Sequence, residues 1–546
     1  MSSWCSGWRR CTTPTQPYVY PTCVNKFNLP NFTGTKPHSS LNNNWATVFE
    51  PRIGFAYALG GHHSTSIRGG YGIYSVREDL GAVDNLSFSA PIFPIGINFL
   101  PGPYGTTTGG LANLFQPSTN FPTGIPGLGP VTAANNGSFV PSPAIFSGFA
   151  PLGSGGCELA FGAIPPAQAI QQCGPGFSGN VNSLIALAVP LHWVSPTTQQ
   201  CNFTIQRELG REWFAELGYV GTKGTRLRST YDPDEATLAT QQSPVKIPYA
   251  CTGGAGTCTI VDSTAENASA RAPYLGIAPA NFEEFAPNSD SHYAALQASL
   301  AHHFAKGLYF QGAYTYSKSI DDVSTASVAF DTRFNDQNNP RDSRGLSDFD
   351  RRQRFIASSV YQLPFFSSAS GLTKGALGGW EVSGVVTVQS GTPFTVVDPA
   401  GGSAYAFSSP NLATATFTSG ATCANAPTSG SITSRLGNWV KASAYQPDAT
   451  LPLSTGGFSD ATVYGDSPRN CIIGPPQKNV DLTFGKTFKI TEGQNLRFRT
   501  DFFNLFNHPS FANPSAAVVG PAGGSAPITT VIGTPRLIQF SLKYSF

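Results

Sequence analysis

Charge is what this chain has least of. Asp, Glu, Lys and Arg make up 12% of its 546 residues, about half the share usual in soluble domains. The net charge is only +2, so no basic surplus exists to hold a phosphate backbone, and nucleic acid is set aside as a partner. Long apolar runs are missing as well. No stretch reaches the roughly 18 apolar residues that a membrane-spanning helix needs, and the nearest, 183–194, contains Pro190. The opening MSSWCSGWRRCTTPTQPY lacks the apolar core of a signal peptide. Neither G-x-S-x-G, a phosphate loop nor H-E-x-x-H occurs, so the chain is read as non-enzymatic, with no catalytic residue, cofactor or metal assigned.

What is present is glycine (58), proline (44) and aromatic residues, including 39 Phe and 19 Tyr. So many aromatics argue against disorder. The mixture suits many strands joined by long polar loops. Ten cysteines are present. Cys157 with Cys173, and Cys251 with Cys258, lie close together in Gly-rich segments. Disulfides in an oxidising compartment are one reading, free thiols another. Metal binding is the weakest, since no C-x-x-C occurs. A Cys157–Cys173 bond is the specific expectation.

The dominant pattern has period two. In the last strand Ile538, Phe540, Leu542, Tyr544 and Phe546 alternate with Gln539, Ser541, Lys543 and Ser545. The same alternation recurs at Ile53–Leu59, Leu308–Tyr316, Trp380–Val388, Val480–Phe484 and Leu496–Phe502. It gives eleven strands, near 48–59, 64–76, 200–209, 212–221, 290–304, 307–319, 352–363, 378–389, 477–490, 494–504 and 535–546. Connections are short and long by turns. Short ones fall at 60–63, 210–211, 305–307, 364–378 and 491–493. Long ones fall at 77–199, 222–289, 320–351, 390–476 and 505–534. A soluble β-sandwich also alternates, but it has no reason to keep all its long loops at one end. A bilayer does: outer-membrane barrels have short periplasmic turns and long extracellular loops. The expected fold is therefore all-β, an antiparallel transmembrane β-barrel of the outer-membrane type. Eleven strands with the first starting outside make it partial, so residues 48–546 are read as the C-terminal part of a longer barrel and 1–47 as the remnant of an outer loop or upstream strand.

Phrases along most of the chain carry a family likeness. They include PRIGFAYALG (51–60), STSIRGGYGIYS (64–75), CNFTIQRELGREWFAELGYVGTKGTRL (201–227), NPRDSRGLSDFDRRQRFIASSVYQLPF (339–365), FRTDFFNLFNHPSFANP (498–514) and GTPRLIQFSLKYSF (533–546). On these the chain resembles the Oar-like barrels of TonB-dependent transporters. The resemblance implies a Gram-negative outer membrane with lipid around the barrel, uptake of a large solute of unknown identity, and coupling to TonB through an N-terminal plug that this chain does not show. It also implies that the terminal strand, with Phe540, Leu542, Tyr544 and Phe546 on one face, is the signal read by the barrel-assembly machinery.

Charge on a lipid-facing position costs about 2–4 kcal/mol at midplane for Arg or Lys. Arg68, Glu216, Glu381, Asp481, Arg497, Arg499 and Asp501 are therefore expected to face the lumen, where they could be structural or could meet a plug or ligand. The acid-rich segment Asp321–Asp350 is read as a solvated loop, its acids paired with Arg333, Arg341, Arg344, Arg351, Arg352 and Arg354 rather than with calcium. Rival readings are a non-transporting surface-binding or structural barrel, a secreted β-sandwich adhesin and, last, an extracellular hydrolase.

Overall fold

The computed structural model describes residues 49–60, 65–75, 186–188, 194–210, 212–233, 235–247, 258–261, 282–324, 333–366, 370–402, 412–446 and 464–546, with 263, 271 and 368. Eleven strands pair in chain order into one antiparallel sheet. They are β1 (Arg52–Leu59), β2 (Thr65–Ser75), β3 (Thr197–Leu209), β4 (Trp213–Tyr231), β5 (Phe282–Ala305), β6 (Leu308–Asp321), β7 (Gln353–Gln362), β8 (Trp380–Gln389), β9 (Gln477–Lys489), β10 (Asn495–Phe503) and β11 (Leu537–Ser545). Among the described residues β1 and β11 each pair on one side only, so the sheet is open.

The alternation in sequence becomes two faces because neighbouring side chains on a strand point oppositely. Register then carries the faces from strand to strand. Phe55 pairs with Gly69 and Tyr57 with Ile67, Ile67 with Ile205, and Ile205 with Leu217. At the far end Leu482 pairs with Phe502 and Phe502 with Ile538. Each of these pairs lies on the apolar face. A slip of one residue would turn a whole strand inside out.

Hairpins on the short-turn side need residues that accept a left-handed backbone. Lys306 (φ 50°) and Gly307 (φ 79°) close the β5–β6 hairpin, the mirror-image turn whose twist matches that of the strands. Two features differ from expectation. β4 and β5 run on to Tyr231 and back to Phe282, well past the ends expected near 221 and 290. Their outer parts, KGTRLRSTY and FEEFAPNSDS, carry no alternation to read, and register shifts interrupt the pairing between Gly224 and Arg228. The expected plain turn at 364–378 contains a helix, α1 (Gly371–Leu377).

Beyond the wall, on the long-loop side, residues 390–402, 412–446, 464–476 and 504–536 fold together into a cap. Its core holds Phe394, Val396, Trp439, Val440, Tyr445, Ile472, Val519 and Ile528. The Trp439 indole donates to the Ile473 carbonyl at 2.8 Å, Phe417 stacks on Tyr445 at 5.2 Å, and Cys423 is bonded to Cys471. Cys201 is a free thiol in β3. Of the expected disulfide candidates, Cys157, Cys173 and Cys251 lie outside the described residues, as does the Cys258 side chain.

Candidate functional site

Polar residues gather on the second face by the same register. Arg68 pairs with Thr204, Thr204 with Gly218, Gly218 with Gln297, and Gln297 with Thr315. Thr315 pairs with Arg354, Arg354 with Gln389 and Gln389 with Gln477. Followed across all eleven strands, this parity puts Arg68, Glu216, Glu381, Asp481, Arg497, Arg499 and Asp501 on one face, opposite Phe540, Leu542 and Tyr544. Phe546 follows β11 and is almost fully exposed.

The structure brings these residues together in two groups. Near β2–β4 the Ser66 hydroxyl donates to Gln206 at 3.2 Å, and Gln206 donates to the Glu216 carboxylate at 2.7 Å. Near β8–β10 Arg497 lies 3.9 Å from Glu381. Asp501 accepts from the Arg499 guanidinium at 2.7 Å and from Thr483 at 2.5 Å. Arg68 stands apart from both groups, exposed between Ala56 and Thr204.

Asp481 has a different task. Its carboxylate accepts the Asn504 backbone N–H at 2.8 Å. Asn504 adopts a left-handed backbone (φ 48°), and its side-chain amide donates to the carbonyls of His508 and Thr534 at 3.2 and 3.1 Å. One carboxylate and one amide thus pin both ends of the β10–β11 loop over the polar face. Beneath that roof lies a cleft of about 590 Å³. Gln389, Gln477, Asn479 and Asp481 line its wall, and His508 and Thr534 its roof. Amide and hydroxyl groups of Gln389, Gln477, Asn479, Ser510 and Thr534 share the lining with the apolar Phe503, Ile532 and Leu537, which offers hydrogen bonds of both senses beside apolar surface. Sequence reasoning found Asp481 but missed Asn504, whose only signal was an Asn directly after the alternation stopped.

The acid-rich segment is not the solvated loop expected: Asp321, Asp322 and Asp350 are buried, and the segment's main partner was missed. Arg344 meets Asp322 at 3.0 Å and Arg352 meets Asp350 at 3.1 Å. Arg333 donates to the Gln337 carbonyl, the Ser229 hydroxyl and Asn288. The keystone is Arg469, from the cap connection. Its guanidinium is almost wholly buried and reaches the Asp321 carboxylate, the Ser343 carbonyl (2.7 Å), Ser324 (3.2 Å) and Asp348 (3.3 Å). Burial also shifts two acidic groups of the cap. Burial pushes the Asp398 carboxyl up, against backbone N–H donors from Gly401 and Ala400, and burial likewise raises the Tyr445 phenol.

A wall with one apolar and one polar face, tight turns at one end and long connections at the other, defines an outer-membrane β-barrel wall. A family model for the outer membrane beta barrel domain matches residues 13–539, and the chain belongs to that family. It therefore lies in the outer membrane of a Gram-negative bacterium, with short turns periplasmic and long loops extracellular. Among solved structures it is similar to the outer membrane transporter YddB from Escherichia coli, at 8% identity and TM-score 0.37, covering 91% of this chain and 40% of that one. It is also similar to the ferripyoverdine receptor of Pseudomonas aeruginosa, at 11% identity and TM-score 0.34, covering 91% and 32%. A third is the FrpB iron transporter from Neisseria meningitidis, at 9% identity and TM-score 0.32, covering 90% and 39%. The chain spans two-fifths or less of each. No curated protein matches.

Proposed function

We propose that the chain forms a receptor and transporter wall segment for a large solute, energised by TonB in a longer parent protein. The polar face lines the lumen, and Arg68, Glu216, Glu381, Arg497, Arg499 and Asp501 form its charged lining. The observation that carries this reading is the roofed cleft at the extracellular end of that face. It sets amide and hydroxyl groups beside apolar side chains, it sits where an incoming solute first meets the wall, and Asp481 holds its roof to the strands. Ligand sites commonly take this form, a concavity with a few convergent polar groups. The apolar residues of β11, ending at Phe546, serve as the signal for the barrel-assembly machinery.

The test is accumulation of labelled large solutes, a panel of ferric siderophores and oligosaccharides, by cells carrying the full-length parent. Accumulation that is lost both in a strain without TonB and on Asp481→Ala supports the proposal. Accumulation that continues without TonB would replace it with a passive barrel.

A further inference from the structure

The five connections on the periplasmic side are unequal in length. Four hold two to five residues, at 60–64, 210–212, 306–307 and 490–494, whereas 363–379 holds seventeen. A long turn is unnecessary for joining neighbouring antiparallel strands, which two residues can do. Where this one goes is recorded by its hydrogen bonds. The Ala376 carbonyl, in the last turn of α1, accepts from the Lys486 ammonium at 2.7 Å and from the Trp380 indole at 3.3 Å. Lys486 and Trp380 pair across β8 and β9 and, by strand parity, stand on the apolar face with Val382 and Phe484. α1 is therefore folded outward and up against the membrane side of the wall rather than hanging into the periplasm.

That placement accounts for a cation on the wrong face. Lys486 is 3% exposed. Its ammonium is held by the helix carbonyl and lies 4.9 Å from the Phe488 ring and 5.4 Å from the Trp380 ring. Lys486 thereby ties α1 to the strands. The turn itself leaves large apolar groups uncovered: Phe365, Phe366 and Leu377 are 61%, 49% and 50% exposed. The stretch 364–379 carries one charge, the exposed Lys374, and no acid.

We infer that the 363–379 turn is an interfacial foot, seated among the phospholipids of the periplasmic leaflet. Three observations select that partner. The exposed Phe365, Phe366 and Leu377 continue the apolar band of the wall, which already meets lipid. Aromatic side chains at headgroup level are the usual anchors of membrane proteins. And Lys374, with no neighbouring carboxylate in the turn, matches the phosphate of a phospholipid headgroup. The foot clamps the wall at one height in the bilayer, between β7 and β8.

The experiment places a photo-crosslinking phenylalanine analogue at Phe365, at Leu377 or at Glu492, an exposed residue of the β9–β10 turn, in the full-length protein in isolated outer membranes. Only material with heat-modifiable migration is scored, so misfolded protein does not count. After illumination, mass spectrometry should find phospholipid adducts at 365 and 377 and none above background at 492. Adducts to a periplasmic protein at 365 and 377, quenching by water there, or equal lipid yield at 492 would each overturn the foot.

Discussion

Two aromatic residues show how differently the halves of this molecule are held. Phe540, in the wall, is 69% exposed, while Trp439, in the cap, is 1% exposed. Among the described residues the wall is one sheet thick and, away from α1, has no second layer, so its apolar side chains there face lipid. The cap has a core of its own, closed on itself as in a water-soluble domain, with a disulfide to hold it. The same residue types therefore serve opposite solvents within one chain. Backbone pairing keeps the wall together, whereas side-chain burial keeps the cap together.

The comparison can be broken most forcefully in the cap. Trp439→Ala would remove its largest buried side chain and is expected to destabilise the cap by about 3–5 kcal/mol. Hydrogen exchange should rise over 412–446 and 464–474 while the folded wall keeps its heat-modifiable migration. Loss of wall folding in the same variant would show that the two halves are one cooperative unit.

The wall is tested next by a neighbouring pair. Phe540→Lys puts a charge on the apolar face and should cost about 2–4 kcal/mol if it lies near midplane, read as reduced assembly into lipid vesicles. Ser541→Lys, one residue on and facing the polar side, should assemble as the natural protein does. Equal behaviour of the two would mean that the faces are not lipid and water.

The smallest effect separates the halves by the sign of their pH response. The Ser75 hydroxyl and N–H hold the Glu50 carboxyl below the usual glutamate range. Its contribution at the β1–β2 edge is therefore present above the unfolded pKa, about 4.3, and is lost as pH falls through the lower folded value. Asp398 is shifted the other way, so its contribution to the cap is present below the unfolded value of about 3.9 and is lost as pH rises through the raised one. Amide exchange at Ser75 and Gly401, normalised to intrinsic rates, should show protection moving in opposite directions with pH. Asp398→Asn should flatten the second response.

Most of the wall was legible in the sequence. The eleven strands, their chain order and the face shared by Arg68, Glu216, Glu381, Asp481, Arg497, Arg499 and Asp501 follow from alternation and from the spacing of turns, whereas Lys486 on the apolar face does not. Alternation is a local property, enforced wherever one side of a strand meets lipid and the other meets water. The limits of that reading are visible at β4 and β5, whose outer ends bury Ser229, Thr230, Phe285 and Ala286, so that no lipid-against-water rhythm is imposed on them. The roof of the cleft was legible only in part. Asp481 was found by parity, but Asn504 acts through a backbone turn and two carbonyls that have no periodic signature.

The sequence by itself determined which segments are strands, which side of each is oily, and at which end the loops are long, because a bilayer demands the same two-residue rhythm of every strand that crosses it. Only the tertiary structure decided that the loops would build a core, that Cys423 would meet Cys471, that Arg469 would reach Asp321 across 148 residues, and that α1 would fold back over Lys486 and Trp380. Those contacts join segments far apart in the chain or irregular in conformation. Their partners are chosen by shape, charge and burial in three dimensions, and neighbours in sequence carry no trace of the choice.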